Sequence, residues 1–362
     1  NVTVLFSYDN TNLIQIQAMD IYWTRWNGSS WSAPAPVVTN TQTELHPAVA
    51  YDEINRPVGV WMRMRDPNYT DSTNVMNYLS QFDIVGSSLN ATTGLWAAPQ
   101  VLSISPCLNA DPRMSRAPNG RIAAWWYSNP PNQFEGGVSS NNAPSRWWWS
   151  RWNAGSGTFG TAEAIDTNVV GALSPTLAYG GTNAWLLWAQ DLDRDYSTSN
   201  DTALVMRYWN GAAWSTNTTL SATGEVVRGV ETVMLSDGKP LAVWWRNGDL
   251  VSAMGPAFGG AQIVRTNSAD LVSQRFHLVA SPDDRYVLLV FPLTTSNGLN
   301  LAYRVYGSEA GVWGGDFAFE STNSLDFGIA PSFIGDQMWA AYTRCVLAYS
   351  TTVATVGSTN IV

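Results

Sequence analysis

The chain has 362 residues, 45% hydrophobic, 12% aromatic and only 13% charged, with 19 tryptophans. Its net charge of −9 and its single lysine, Lys239, leave no basic stripe, which argues against nucleic acid or an anionic membrane surface as the main partner. So many aromatics exclude a disordered chain, and no apolar run reaches the roughly 18 residues needed to span a bilayer.

In chain order, residues 2–8 read as an apolar strand passing through Phe6, with no inner partner ahead of it. Residues 22–31 follow as an aromatic strand, an Asn-Gly turn and a closing aromatic, Trp31. Residues 46–61 hold two apolar runs, 48–51 and 58–61, joined by a polar turn and closed by Trp61. Copies of this pair close on Trp126, Trp188, Trp244, Phe291 and Tyr342. The anchors recur at roughly 47–65 residues, the range of propeller blades. The aromatic hairpin recurs at 151–159 and 207–214, and more weakly at 90–96 and 306–313. Its turn residues supply positive φ, and its two aromatics pair across the hairpin.

Each unit is therefore four strands, an inner A followed by B, C and an outer D. Runs such as 241–245 and 287–291 are apolar on both faces, as in a strand sandwiched between neighbouring sheets. The expectation is an all-β chain, a seven-bladed propeller of four-stranded antiparallel blades, with six blades as the runner-up. No helix pattern competes. Residues 1–362 read as one domain, or an excerpt of a longer chain. Residues 353–362 are expected to complete the last blade or to supply the missing inner strand of the first, removing exposed edges.

The run of Pro, turn, Trp-closed strand and Trp-Ser-x-Pro is carried best by Trp31-Ser-Ala-Pro34 and Trp96-Ala-Ala-Pro99. It resembles the sialidase-like (BNR-type) propeller repeats of secreted and surface proteins. The family's Asp box is absent, and residues 88–96 are a degenerate version at best. The arginine triad and Tyr/Glu pair of an enzymatic sialidase find no match, so no catalytic residue is carried over. Fungal and bacterial propeller lectins share a similar Trp-rich hairpin.

In such a fold the D–A and B–C connections lie at one end, around the channel mouth. Acids recur in the D–A connections at Glu44, Asp111, Glu225, Asp270 and Asp326, and His46, Arg113, Arg228 and Arg275 stand near inner-strand starts. Paired carboxylates there suit glycoside hydrolysis or cation binding. A ring of salt bridges and turn caps is the weightier alternative. Three B–C loops are long, 66–74, 128–145 and 191–202. The last carries Asp191, Asp193, Asp195 and Asp201, hard oxygen ligands at a spacing that suits Ca²⁺, against a solvated acidic loop. No other cofactor is indicated.

Residues 146–152 hold four tryptophans, which read as packing between blades rather than as a sugar platform. His46 and His277 lack a third partner for zinc. Cys107 and Cys345 read as buried thiols rather than a disulfide. Sequons stand at Asn1, Asn27, Asn68, Asn90, Asn200 and Asn217, mostly in predicted turns. These features favour an extracellular or cell-surface protein. The leading expectation is a non-enzymatic module for adhesion, surface or filament assembly, or glycan binding, with glycans or other protein subunits as partners. The alternative is a carbohydrate-active enzyme, a glycosidase or polysaccharide lyase, using the channel-mouth acids and His46.

Overall fold

The computed structural model describes residues 2–9, 19–69, 73–132, 144–195, 198, 201–266, 276–295, 298–319, 324–334 and 337–346. They fall into two compact units, Asn1–Asn247 with Ala253–Ala261, and Gly248–Ser252 with Gln262–Val362.

In the first unit, period-2 apolar runs and Gly or Asn turns produce successive antiparallel meanders. Strands β1 (Val2–Asp9), β2 (Met19–Trp26) and β3 (Ala35–Pro36) form a three-stranded sheet. Strands β4 (Glu44–Tyr51), β5 (Pro57–Met64), β6 (Phe82–Ser88) and β7 (Gln100–Val101) form a four-stranded sheet in sequence order, with helix α1 (Val75–Leu79) between β5 and β6. Strands β8 (Leu108–Arg116), β9 (Ile122–Asn129), β10 (Ser145–Asn153) and β11 (Thr158–Phe159) form the next, with β12 (Glu163–Val169) also on β10. Strands β13 (Ala172–Tyr179), β14 (Ala184–Asp191), β15 (Thr202–Trp209) and β16 (Thr218–Thr219) follow in order. Strands β17 (Val227–Met234) and β18 (Pro240–Arg246) pair antiparallel.

Sheets pack face to face through their tryptophans. On β10, Trp147 and Trp149 point one way, into a core with Trp188, Tyr179 and Trp209 of the β13–β16 sheet. Trp148 and Trp152 point the other way, towards Met62, Ile84 and Trp126. The Trp147 and Trp188 rings meet edge-on at 5.0 Å. Each buried indole removes about 150–250 Å² from water, an upper-bound gain of about 4–6 kcal/mol. The cluster is therefore packing between sheets, as the sequence suggested. Across the hairpins, Trp26 meets Trp31 at 5.7 Å and Trp209 meets Trp214 at 5.8 Å.

Polar contacts set how the sheets meet. Asp52 caps the β4–β5 turn by accepting from the backbone N–H groups of Ile54 and Arg56. Its other oxygen accepts from the Trp152 indole of the next sheet at 3.0 Å. In the β8–β9 turn, Gly120 has φ +85°, and a Cβ there would stand 2.6 Å from Glu53 Cα. Only glycine allows these two turns to approach so closely.

The second unit contains most of β19 (Asp249–Met254) with β20 (Gln262–Arg265), paired antiparallel. It continues with β21 (His277–Ala280), β22 (Tyr286–Thr295), β23 (Gly298–Gly307), β24 (Val312–Trp313), β25 (Phe317–Ala318), β26 (Ser324–Ile334) and β27 (Gln337–Val346), all in one seven-stranded sheet. The β26–β27 hairpin joins it by a parallel step at Leu299 and Leu325. Asp316 ion-pairs with Arg265 and Arg304.

The all-β reading and the four-stranded antiparallel unit hold. Seven separate blades are not what is seen. The first sheet has three strands, the last two predicted blades share one sheet, and no sheet closes on itself among the described residues. The predicted closing segment, 353–362, lies outside them. Helix α1 was not foreseen from the sequence. Asn74 nucleates it by accepting from the N–H groups of Met76 and Asn77, a side-chain cap that a strand-period reading misses.

Candidate functional site

The inner strands share one irregularity. In β4, Leu45 faces Met62 and Ala48 faces Val60, so His46 and Pro47 stand opposite Trp61 alone. In β8, Asp111 and Pro112 stand opposite Trp126, and in β13, Ser174 and Pro175 stand opposite Trp188. Gly229 is the extra residue of β17, and β26 bulges opposite Tyr342. These are β-bulges, which bend a strand and re-aim a side chain. The bulged residues His46, Asp111, Ser174 and Gly229 have φ of +53°, +51°, +48° and +48°. A left-handed conformation costs a non-glycine residue about 1–3 kcal/mol, and such strain collects at functional sites. His46 and Ser174 are exposed and Asp111 is half-exposed.

Between the β8–β12 sheet and β13 lies a cavity of about 140 Å³, lined by Asp111, Trp125, Tyr127, Trp147, Val169, Ala172 and Pro175. Arg113 organises it. Its guanidinium pairs with Asp111 at 2.7 Å, donates to the Pro175 carbonyl at 2.7 Å and lies 5.3 Å over the Trp125 ring. The Trp125 indole N–H is buried and has no acceptor among the described residues. The cavity therefore offers aromatic walls and an acid with its counter-ion.

Other predicted acids are placed differently. Glu44 and Asp111 lie inside inner strands rather than in the connections before them. Glu44 is fully buried, with Oε1 accepting from Arg63 at 2.7 Å and from Asn40 at 3.3 Å. It works as an internal ion pair, the salt-bridge alternative weighed above. Glu225 accepts from the Ala222 N–H at 3.0 Å and stands 3.6 Å from Arg246. Arg228 lies 5.5 Å over the Trp245 ring. Asp326 belongs to β26, and Asp270 and Arg275 lie outside the described residues.

Three of the four loop aspartates converge. Carboxylate oxygens of Asp191, Asp193 and Asp201 lie within 4.8 Å of one another. Asp195 is not among them; its N–H donates to Asp193 at 2.7 Å. Burial, with Asp193 and Asp201 nearby, pushes the Asp191 carboxyl above the usual carboxylate range. The Asp195 N–H holds Asp193 below it. Asp191 ends β14 one residue beyond Gln190, the partner of Ala172, so this group and the Ser174 bulge share one end of their sheet.

Of the sequons, Asn27, Asn68, Asn90 and Asn217 are exposed, and Asn1 and Asn200 lie outside the described residues. Cys107 is a buried free thiol. The Cys345 side chain is outside the description. Among the described residues, no helix is long and apolar enough to cross a membrane. The bulges escaped the sequence reading, yet a signal was there. His46-Pro47, Asp111-Pro112 and Ser174-Pro175 repeat at nearly one offset from the tryptophan anchors.

No family model and no curated protein matches the chain, so its likeness to known proteins rests on fold. It is similar to the polysaccharide lyase Uly1, at 8% identity and a TM-score of 0.58, over 94% of this chain and 84% of that one. It is similar to an ulvan lyase of polysaccharide lyase family 25, at 12% identity and a TM-score of 0.54, over 94% and 87%. A protein of unknown function from Dyadobacter fermentans matches at 12% identity and a TM-score of 0.52, over 85% and 92%. At such identities the likeness establishes the fold, which is propeller-like.

Proposed function

We propose that this protein is an extracellular carbohydrate-active enzyme that acts on a polysaccharide at the bulged ends of its inner strands. The observations that support the reading are the strained series His46, Asp111 and Ser174 at equivalent inner-strand bulges and the cavity lined by Asp111 and Pro175 that Arg113 organises. Aromatic walls suit the apolar face of a sugar ring. The cavity is far smaller than the roughly 300–1,000 Å³ of a drug-sized site, so it takes one sugar unit of a longer chain. The four exposed sequons fit a secreted protein.

Two of the similar folds carry the name polysaccharide lyase, which favours eliminative cleavage over adhesion or filament assembly. Lyase chemistry needs a cation against the uronate carboxylate and a base for the proton beside it. Arg113 is assigned the first role and the His46 imidazole the second. The base takes the proton, a carbon–carbon double bond forms, and the glycosidic C–O bond breaks with its electron pair going to the leaving sugar's oxygen, which takes a proton from water.

The test is incubation with a panel of uronate-containing polysaccharides, reading the ultraviolet absorbance of the unsaturated product and the new reducing ends in parallel. Both signals are expected to rise, and His46→Ala is expected to lower them by about 10²-fold or more. Reducing ends without the absorbance would make the enzyme a hydrolase. Glycan binding with neither signal would return the reading to a non-catalytic binding module.

A further inference from the structure

We infer that Asp191, Asp193 and Asp201 form a calcium site that pins the β14–β15 connection. The inference stands apart from the proposed enzyme activity and rests on different residues.

The group is rich in acceptors and poor in donors. Backbone N–H groups serve one oxygen of each carboxylate. Arg194 donates to Asp191 Oδ1 at 2.7 Å, Asp195 to Asp193 Oδ1 at 2.7 Å, and Asp193 to Asp201 Oδ2 at 3.2 Å. Among the described residues, the remaining oxygens of Asp193 and Asp201 share a single hydroxyl. Thr198 Oγ1 stands 3.1 Å from Asp193 Oδ2, 3.4 Å from Asp201 Oδ1 and 2.8 Å from the Asp195 carbonyl. A threonine hydroxyl has one proton to give. Among the described residues, no arginine or lysine forms an ion pair with any of the three acids.

The independent observation is Asp191 itself. It is 1% exposed, its carboxylate lies within 4.8 Å of the other two, and its buried Oδ2 has no hydrogen-bond partner among the described residues. A solvated acidic loop would leave its oxygens to water. A buried carboxylate oxygen without donor or cation is strongly unfavourable. A hard cation satisfies all three acids at once. Three carboxylates with a backbone carbonyl beside them, in an irregular loop, match the flexible oxygen coordination of Ca²⁺ better than the strict octahedron and retained waters of Mg²⁺. Bound there, the ion would join the end of β14 to the start of β15, at the sheet end that carries the Ser174 bulge.

The test uses the intact protein, stripped with a chelator and titrated with CaCl₂ by calorimetry while the thermal midpoint is followed. MgCl₂ and NaCl at matched ionic strength are the controls. One Ca²⁺ is expected to bind with Kd at or below about 10⁻³ M, and the midpoint to rise with calcium concentration. An Asp193→Asn/Asp201→Asn double variant, altered only at positions that are not buried, is expected to fold and to bind at least about tenfold more weakly. Three results would overturn the inference: no binding up to about ten times that Kd, an equal calcium response in the double variant, or a wild-type midpoint that moves with pH but not with calcium. The last would mean that a shared proton neutralises the acids instead.

Discussion

Replacing Arg113 by Met tests whether one side chain holds the candidate site together. The substitution keeps the apolar stem and removes the guanidinium. It deletes a charged hydrogen bond to the Pro175 carbonyl at 2.7 Å, worth about 1.5–3 kcal/mol. It also deletes the pair with Asp111, whose side chains are 27% and 44% exposed, so that solvent screening leaves at most about 1 kcal/mol. Contact with the Trp125 face adds about 0.5–1 kcal/mol. These contributions share one group and do not add fully, so the expected loss is about 2–3 kcal/mol. Urea unfolding should show a lower midpoint at unchanged slope. Arg113→Lys keeps the charge without the fork and should recover only part of the loss. Glycan turnover should fall with Arg113→Met, because the Asp111 and Ser174–Pro175 bulges lose their common tie. A midpoint within about 0.5 kcal/mol of wild type, with turnover intact, would refute the reasoning.

Other substitutions probe how the sheets meet. Trp152→Phe removes the indole donor to Asp52 and should cost about 1–2 kcal/mol in chemical denaturation, less than a full orphaning because Arg56 still serves the same carboxylate. Gly120→Ala combines a φ of +85° with a 2.6 Å approach to Glu53 Cα, and should lower stability by more than about 2 kcal/mol in the same assay. The Ser281 hydroxyl, with the Arg285 guanidinium and N–H, draws the Asp283 carboxyl down from 3.8 to about 2. A lowered folded value stabilises above the unfolded value, and that contribution disappears as pH falls from 3.8 towards about 2. Asp283→Asn should therefore be the less stable protein at pH near 5, with the gap between thermal midpoints shrinking as pH falls and closing only below about pH 2. A gap that persists at the acid end would mean that Asp283 acts through something other than its charge.

Much of the scaffold is legible in the chain because its causes are local. Alternation of apolar and polar residues marks the strands, and Asn-Gly or Asp-Gly pairs mark the turns. The aromatic closing each inner pair, most often tryptophan, announces a strand buried on both faces. Trp61, Trp126 and Trp188 are indeed fully buried, and the alternating faces of residues 147–152 serve two different sheets. The candidate site was legible only in part. His46 and Asp111 were singled out, but the bulges that aim them were not, because a bulge exists only relative to the partner strand's register.

Tertiary packing decided the rest. Glu44 and Asp111 carry the same charge at the same end of neighbouring inner strands, yet one is sealed against Arg63 and the other lines a cavity. Among the loop aspartates, regular spacing suggested a quartet, but the chain turns at Arg194, with φ +65°, and Asp195 is left out in favour of Asp201. The final hairpin merged with its predecessor's sheet instead of standing as a blade. Strand pattern and turn chemistry depend on neighbours along the chain. Burial of a charge, register of a bulge and convergence of acids depend on neighbours across it, and only the folded arrangement supplies those.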